Sequence, residues 1–414
     1  MIPKISRYAI IILFIVALSI LLPSLYWMIF DKPIQAPMVF YSSIKKGFLF
    51  SENRTGNESE YFDNEGNTYD RKTFRTLLPL SYYSDLLKWN ILPDNIDGIP
   101  ISYSIIRNKS LNFSFEPKDL NTPIIDLYPL FESQSDFARL ELPGELFRVG
   151  TSLEFIDAET NKIITAKSQE FTQALHDAGF QFPAKYIAGN PTTRKPFDEG
   201  YFIIDAANSV YHLKQIKGKP FCVNTGISSD LNIRFIKVQE NSMKEYYGAI
   251  VTKTNEIYLI RYNNYSLTKL PVDGYIADEM TFRLQCNPIY RMVKYYDDKG
   301  LTYTVMDSNY NYIDTYQTCW TPREEWTSSK IAAIVFPFSI ERKSGDYRYI
   351  KFKFVFTGKL AFIGILLGLI ITLFLKVNIY HEKLRDNWFD FVIVLFSGLF
   401  GTLAVLLIRP EPWD

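Results

Sequence analysis

With 414 residues, 47% of them apolar and 22% charged, the chain can fill one large domain or two ordinary ones and is not compositionally disordered. Its 45 basic residues balance 45 acidic ones, which leaves no electrostatic footprint for nucleic acid and excludes that class of partner. Three cysteines without short-range pairs (Cys222, Cys286, Cys319) and three scattered histidines (His176, His212, His381) exclude a disulfide framework and the usual zinc spacings, so no metal and no cofactor is expected.

The chain opens with Lys4 and Arg7 before residues 8–30, a 23-residue run without a charge. That run is long enough to cross a hydrocarbon core of about 30 Å as a helix. No small-residue cleavage pattern follows, so a retained signal-anchor is expected, with Tyr26 and Trp27 at the interface.

Residues 31–353 are expected to form a β-rich domain, because the excess of aromatics in the whole chain, 28 Tyr and 32 Phe, suits half-buried pleated surfaces. Within them a short pattern recurs: YFDNEGNTY, IIRNKSLNF, FIDAETNKI, FIIDAANSVY, IVTKTNEIYL and YYDDKGLTY. Aligning Asp63, Arg107, Asp157, Asp205, Thr252 and Asp297 gives intervals of 44, 50, 48, 47 and 45 residues. Each unit reads as strand, tight polar turn, strand. A period in the forties with several strands per repeat predicts a β-propeller of five to seven blades, since a four-stranded blade with turns takes about 40–50 residues. The clearest blade candidate begins at EIYLIRY, 256–262, and runs through SLTKLP and MTFRLQC to IYRMVKYYDD. A β-sandwich or open twisted antiparallel sheets are the competing architectures. Two helical insertions are expected, at 166–179 and, more weakly, at 78–92.

The most unusual segment is GNPTTRKPFDEG, 189–200. Pro191 and Pro196 stiffen a loop carrying Thr192, Thr193, Arg194, Lys195, Asp198 and Glu199, a set of donors and acids suited to binding a ligand or partner. No catalytic residue is assigned, because no nucleophile accompanies the loop and the common phosphate-loop, metalloprotease and hydrolase signatures are absent. The acidic turn DNEG at 63–66 is too short to enclose calcium.

Residues 354–414 are expected to form a transmembrane helical hairpin, with spans near 360–375 and 391–408 and a polar loop at 376–390. Gly364 and Gly368 form a GxxxG, and Ser397 with Gly401 a second small-residue pair, spacings that allow close helix packing. Three spans with the N-terminus inside place the β domain outside the membrane and the tail at Trp413 outside as well. A count of Lys and Arg argues for the reverse, because Arg342, Lys343, Arg348, Lys351, Lys353, Lys359 and Arg409 then crowd the outer side; large domains, however, translocate largely regardless of charge.

The anchor, the run FIDAETNKI through FCVNTG (155–226) and VFPFSI at 335–340 together resemble an uncharacterised family of bacterial membrane-anchored proteins carrying a domain of unknown function. Segment 186–226 is the most specific part of the resemblance. Members are often encoded beside ABC-transporter components, which implies association with a transport system and assigns no catalytic residue. The expected function is therefore a non-enzymatic envelope protein whose exported β domain binds a partner or ligand as accessory to an ABC-type transporter. Its expected partners are the lipid bilayer and transporter subunits. A membrane-tethered hydrolase or lyase using carboxylates in a propeller cleft is the alternative, and an envelope sensor a third reading.

Overall fold

The computed structural model describes residues 2–31, 37–53, 59–346, 349–382 and 384–409. Arg348, Lys383 and the Trp413 tail lie outside the described residues. Two compact units divide the chain, one of residues 35–319 and one of residues 1–34 with 320–414.

The β unit begins with β1 (Met38–Ser42), β2 (Gly47–Asn53), β3 (Ser59–Asp63) and β4 (Thr68–Tyr69), an antiparallel meander that forms the first sheet. Short elements follow: α2 (Arg71–Thr76), α3 (Tyr83–Lys88), the hairpin β5 (Asn95–Ile96) and β6 (Ile99–Pro100), α4 (Tyr103–Asn108), β7 (Leu111–Phe115) and α5 (Pro117–Asn121). The pair β8 (Glu145–Val149) and β9 (Leu153–Asp157) leads into α6 (Thr165–Asp177). The next sheet is β10 (Tyr186–Gly189), β11 (Tyr201–Ile204), β12 (Val210–Ile216) and β13 (Lys219–Asn224). The one after it is β14 (Ile233–Val238), β15 (Tyr246–Thr252), β16 (Ile257–Arg261) and β17 (Leu267–Lys269). The last comprises β18 (Thr281–Cys286), β19 (Tyr290–Tyr296), β20 (Gly300–Asp307) and β21 (Tyr312–Cys319), with β7 added along the free edge of β18.

Among the described residues the unit is thus mostly β, in separate antiparallel sheets of which none closes on itself. Strand alternation packs the sheets face to face. In β15 and β16, Ile250 and Ile260 meet Phe202, Ile204 and Val210 of the β10–β13 sheet. Their neighbours Ala249, Val251, Ile257 and Leu259 face the other way, onto Phe113, Phe115, Phe282 and Leu284 of the last sheet. Likewise Tyr201, Ile203, Tyr211 and Leu213 turn to Phe147, Phe155, Phe171 and Leu175, so α6 and the β8–β9 pair cover the far face. The first sheet lies against the last through Tyr41 on Tyr290 and Phe48 on Tyr303. Its other face is closed by Leu49 against Phe74 and Leu78. Each such fully buried side chain contributes on the order of 1.5–3 kcal/mol.

The recurrent turn has a physical basis. Asp63 Oδ1 accepts the amides of Glu65 and Asn67 at 3.0 and 2.9 Å, and Asp205 Oδ1 those of Ala207 and Ser209, each at 2.8 Å. In the β15–β16 turn Thr252 Oγ1 takes the amide of Glu256. Three residues after each of these the backbone enters the left-handed region, at Gly66, Asn208 and Asn255. Asp307 repeats the arrangement between β20 and β21, with Tyr310 left-handed.

Two of the six aligned units are not sheet hairpins. Arg107 lies in α4, where the Ser102 hydroxyl caps the helix by accepting the Ile105 amide. Beyond Asp157 only an isolated bridge, Ile156 to Ile163, returns toward β9. The four strands from EIYLIRY to IYRMVKYYDD also do not form one sheet: β16 and β17 complete one sheet, and β18 and β19 belong to the next. The separation falls at the β17–β18 link, where Tyr275 and Ala277 fold into the core between the two sheets. The helix expected at 166–179 is present as α6, whereas 78–92 contains only the single turn and a half of α3.

The second unit consists of α1 (Ile2–Phe30), α7 (Thr327–Val335), the hairpin β22 (Phe338–Asp346) and β23 (Tyr349–Phe356), α8 (Ala361–Phe374), α9 (Trp388–Ser397) and α10 (Leu399–Leu407). A domain boundary at 353/354 would cut through β23, whose hydrogen bonds tie it to β22; the units divide near residue 319 instead. Among the described residues, two helices are long and apolar enough to cross a membrane, Ile5–Phe30 and Ala361–Ile379.

The third expected span, 391–408, is not one helix. Gly398 adopts φ +55° and ψ −133°, a conformation available essentially to glycine alone, and breaks the run into α9 and α10. A continuous helix would hold residues 390 and 408 about 27 Å apart. Instead the Arg7 guanidinium touches both, donating to the Asp390 carboxylate at 3.0 and 2.9 Å and to the Ile408 carbonyl at 2.9 Å. The chain therefore turns back at Gly398, and α9 and α10 form a helical hairpin.

Candidate functional site

The 190–199 loop joins β10 to β11, and glycines pin both its ends. A Cβ on Gly189 would run into the Tyr201 ring, and one on Gly200, where φ is +68°, into the Leu213 carbonyl. Between them the predicted residues separate into two groups. Thr193 and Arg194 are exposed, and Thr192 is half-buried with its hydroxyl accepting the Arg194 amide at 3.1 Å. Lys195, Asp198 and Glu199 turn inward and are buried.

Lys195 Nζ sits between the carboxylates of Asp198 and Glu240, the latter at 2.9 Å, and also donates to the Asn190 carbonyl at 2.6 Å. It lies 4.8 Å from the centre of the Phe131 ring. Glu240 takes the Asn190 amide group on its other oxygen at 2.7 Å, and Asp198 takes the Gly200 amide at 2.9 Å. Burial pushes the Asp198 carboxyl up and Lys195 pulls it back, with the net direction upward. Glu240 comes from the link between β14 and β15, so this ion triad clasps two neighbouring sheets.

Glu199 belongs to an adjoining cluster. Its carboxylate accepts from Lys214 at 2.8 Å and from the Tyr262 hydroxyl, and its carbonyl accepts from His212 Nε2. That bond fixes the proton on Nε2, so Nδ1 accepts from the Tyr265 hydroxyl at 2.8 Å. The imidazole stacks on Phe202, centroids 4.6 Å apart and nearly parallel. Sequence reasoning reached the loop but not Asn190, Glu240, His212, Lys214, Tyr262 or Tyr265. Glu240 alone carries a spacing signal, since it follows Lys195 by 45 residues, one repeat of the hairpin spacing.

Burial pushes His212 down to about 4, from an ordinary value near 6.5. Because the folded value is the lower one, the unfolded chain binds the extra proton, and stability is present above pH 6.5 and lost as pH falls toward 4. The loss reaches about 3 kcal/mol, at about 1.4 kcal/mol per unit. Urea unfolding of the full chain from pH 7 to 4 reads it, and His212→Gln should flatten that part of the slope relative to wild type.

A separate depression of about 580 Å³ is lined by Glu132, Gln134, Asp136, Phe137 and Lys217 among others. Burial alone would raise the Glu132 carboxyl, but amides of Gly218, Gln134 and Lys217 outweigh it and hold the group below its usual range. An acid so held is ionised at neutral pH and anchors the 217–218 turn rather than donating protons. Among the described residues, no group of three or more His, Cys, Asp or Glu is placed to hold a metal.

The predicted small residues of the second unit do pack closely. A Cβ on Gly364 would strike the Ile334 carbonyl of α7, one on Gly368 would meet Thr402 and Gly398, and one on Gly401 would meet Ser397 and Val394. Ser397 donates to the Ile393 carbonyl. At the other end, Asp390 is fully buried and pairs with both Arg7 and Lys376, each at 2.9 Å. Lys376 also meets Glu382 at 2.5 Å, and Glu382 takes the Asn387 side chain.

No curated protein matches the chain. Among solved structures it is similar to the N-terminal domain of Nup159, at 10% identity over 70% of this chain and 76% of that one, TM-score 0.19. It is also similar to the dihydro-heme d1 dehydrogenase NirN in complex with DHE, at 10% identity over 67% and 72%, TM-score 0.21. Superpositions this poor carry no argument about fold or activity. Residues 38–306, well over half of the sequence and most of the β unit, match a family described as a domain of unknown function, and the chain belongs to that DUF4857 family.

Proposed function

We propose that this is a membrane-anchored, non-enzymatic envelope protein whose β unit binds a protein partner, as accessory to an ABC-type transport system. One observation carries the reading. Thr193 and Arg194 stand in solvent on a loop whose base, the Lys195–Asp198–Glu240 triad, is buried and held by ion pairs and hydrogen bonds. Such a base costs little to order on binding and leaves the exposed pair free to recognise a partner. The resemblance of the anchor and of segment 155–226 to proteins encoded beside transporter components suggests which partner.

The row of sheets, each covered on both faces, is read as the blades of a propeller, with the β8–β9 pair as a reduced blade. A structure of the chain in nanodiscs in which the first sheet and the β8–β9 pair are far apart would remove that reading.

The β unit is placed outside a bacterial inner membrane and the N-terminus inside. The α9–α10 hairpin, read as re-entering the bilayer, supports this, because it brings Arg409, whose guanidinium lies 3.8 Å above the Tyr380 ring, to the side of Arg7, Lys376 and Arg385. Moving Arg409 inward makes the basic residues that flank the spans equal in number on the two sides, so the positive-inside count no longer argues for the reverse topology. In intact spheroplasts an impermeant maleimide should label the exposed native thiol of Cys319 and leave a cysteine at Asn387→Cys unlabelled until lysis; the opposite pattern reverses the topology.

Copurification tests the partner. Tagged wild-type chain drawn from native membranes in mild detergent should bring down transporter ATPase and permease subunits, and Arg194→Glu should lose them about tenfold or more. Recovery of a lone monomer from both would sink the proposal.

A further inference from the structure

The hairpin between α7 and α8 has two unlike faces. Phe338 lies opposite Phe356 and Ile340 opposite Phe354, and directly opposed residues of an antiparallel pair share a face. That face carries Phe352, Phe354 and Phe356 at 67%, 63% and 50% exposure. The alternate face holds Ser339, buried with its hydroxyl on Glu341, and the exposed Lys353.

The aromatic face does not stop at the hairpin. Phe338 stacks on Phe354 at 5.0 Å, and Phe356 meets Phe362 edge-on at 6.0 Å. Phe362 stands in the first turn of α8, whose outward Phe362, Leu366 and Ile370 are all more than half exposed. The patch therefore runs unbroken into the outer surface of a helix long and apolar enough to cross a membrane. An apolar patch of this extent on a folded chain marks an interaction surface. Aromatic rings flanked by lysine favour the boundary between acyl chains and headgroups.

We propose that the β22–β23 hairpin lies in the bilayer interface, with Phe352, Phe354 and Phe356 in the acyl boundary and Lys353 and Lys359 toward the headgroup phosphates. The proposal rests on the reading of the second unit as a membrane anchor. A third contact thus joins the two spanning helices, and its ligand is lipid rather than a second protein.

Spin labels at Phe354→Cys, Lys353→Cys and Phe362→Cys, in the full chain with Cys319→Ser and reconstituted in anionic liposomes, separate the outcomes. The ratio of oxygen to nickel-chelate accessibility should be severalfold higher at 354 than at 353, and high at 362. A nickel-accessible label at 362 overturns the anchor itself. Oxygen-accessible 362 with nickel-accessible 354 overturns the hairpin proposal alone. A label at 354 shielded from both reagents means a protein covers the face, a second copy or another chain, and overturns it as well.

Discussion

Replacing Lys195 by methionine should destabilise the β unit by about 3–5 kcal/mol, the usual cost of breaking a buried ion pair from one side. Asp198 and Glu240 would then face each other with both side chains fully buried and no cation between them. Far-UV dichroism of the full chain against urea reads the change. The sign with pH is distinctive. Two stranded acids take up protons more readily folded than unfolded, so the deficit of the variant relative to wild type should be largest at neutral pH and shrink on acidification. The triple change Lys195→Met with Asp198→Asn and Glu240→Gln should recover much of the loss, since it removes the uncompensated charge along with its partner. A single variant within 1 kcal/mol of wild type would mean that water reaches the site.

The second large effect is expected at Asp390. Asp390→Leu leaves Arg7 without its carboxylate and Lys376 with Glu382 alone, and should again cost on the order of 3–5 kcal/mol. The α9–α10 hairpin depends on this carboxylate at one end of α9 and on Gly398 at the other, so losing Asp390 frees the helix rather than merely softening it. A thermal melt in detergent should drop, and limited proteolysis should cut between Glu382 and Trp388 where the wild-type chain resists. Arg7→Met combined with Asp390→Leu should melt higher than Asp390→Leu alone. If the double variant is the less stable of the two, the pairing is not what holds the helices.

The hairpins were legible because their turns are made by side chains. An aspartate accepting two amides ahead of it leaves a mark at a fixed offset from a left-handed glycine or asparagine, and Asp63 and Asp205 show it openly. Where the same spacing arose without that chemistry, at Arg107, a capping serine made a helix instead. Which hairpins share a sheet was not legible. The β17–β18 link differs from an in-sheet turn only in what it buries, and burial is decided by strands far away in sequence.

The third span failed for a related reason. Its composition is right for lipid, and a single glycine with an uncommon backbone conformation undoes it. The loop 189–200 was found by its density of polar groups, but density does not distinguish the exposed Arg194 from the buried Lys195 one residue on. That difference depends on Glu240, which enters from the neighbouring sheet.

Strand β7 pairs with β18, Leu111 opposite Cys286. At cellular synthesis rates of about 5–20 residues per second, it waits roughly ten to thirty-five seconds for that partner to emerge. Until then the backbone of β7 has no strand beside it, and Phe113 and Phe115, both almost wholly enclosed in the finished molecule, have only the β14–β16 side of their seat. The biogenesis of this chain therefore contains an interval in which a sticky edge strand needs a chaperone's shelter, and a chain stopped anywhere short of residue 281 never leaves it.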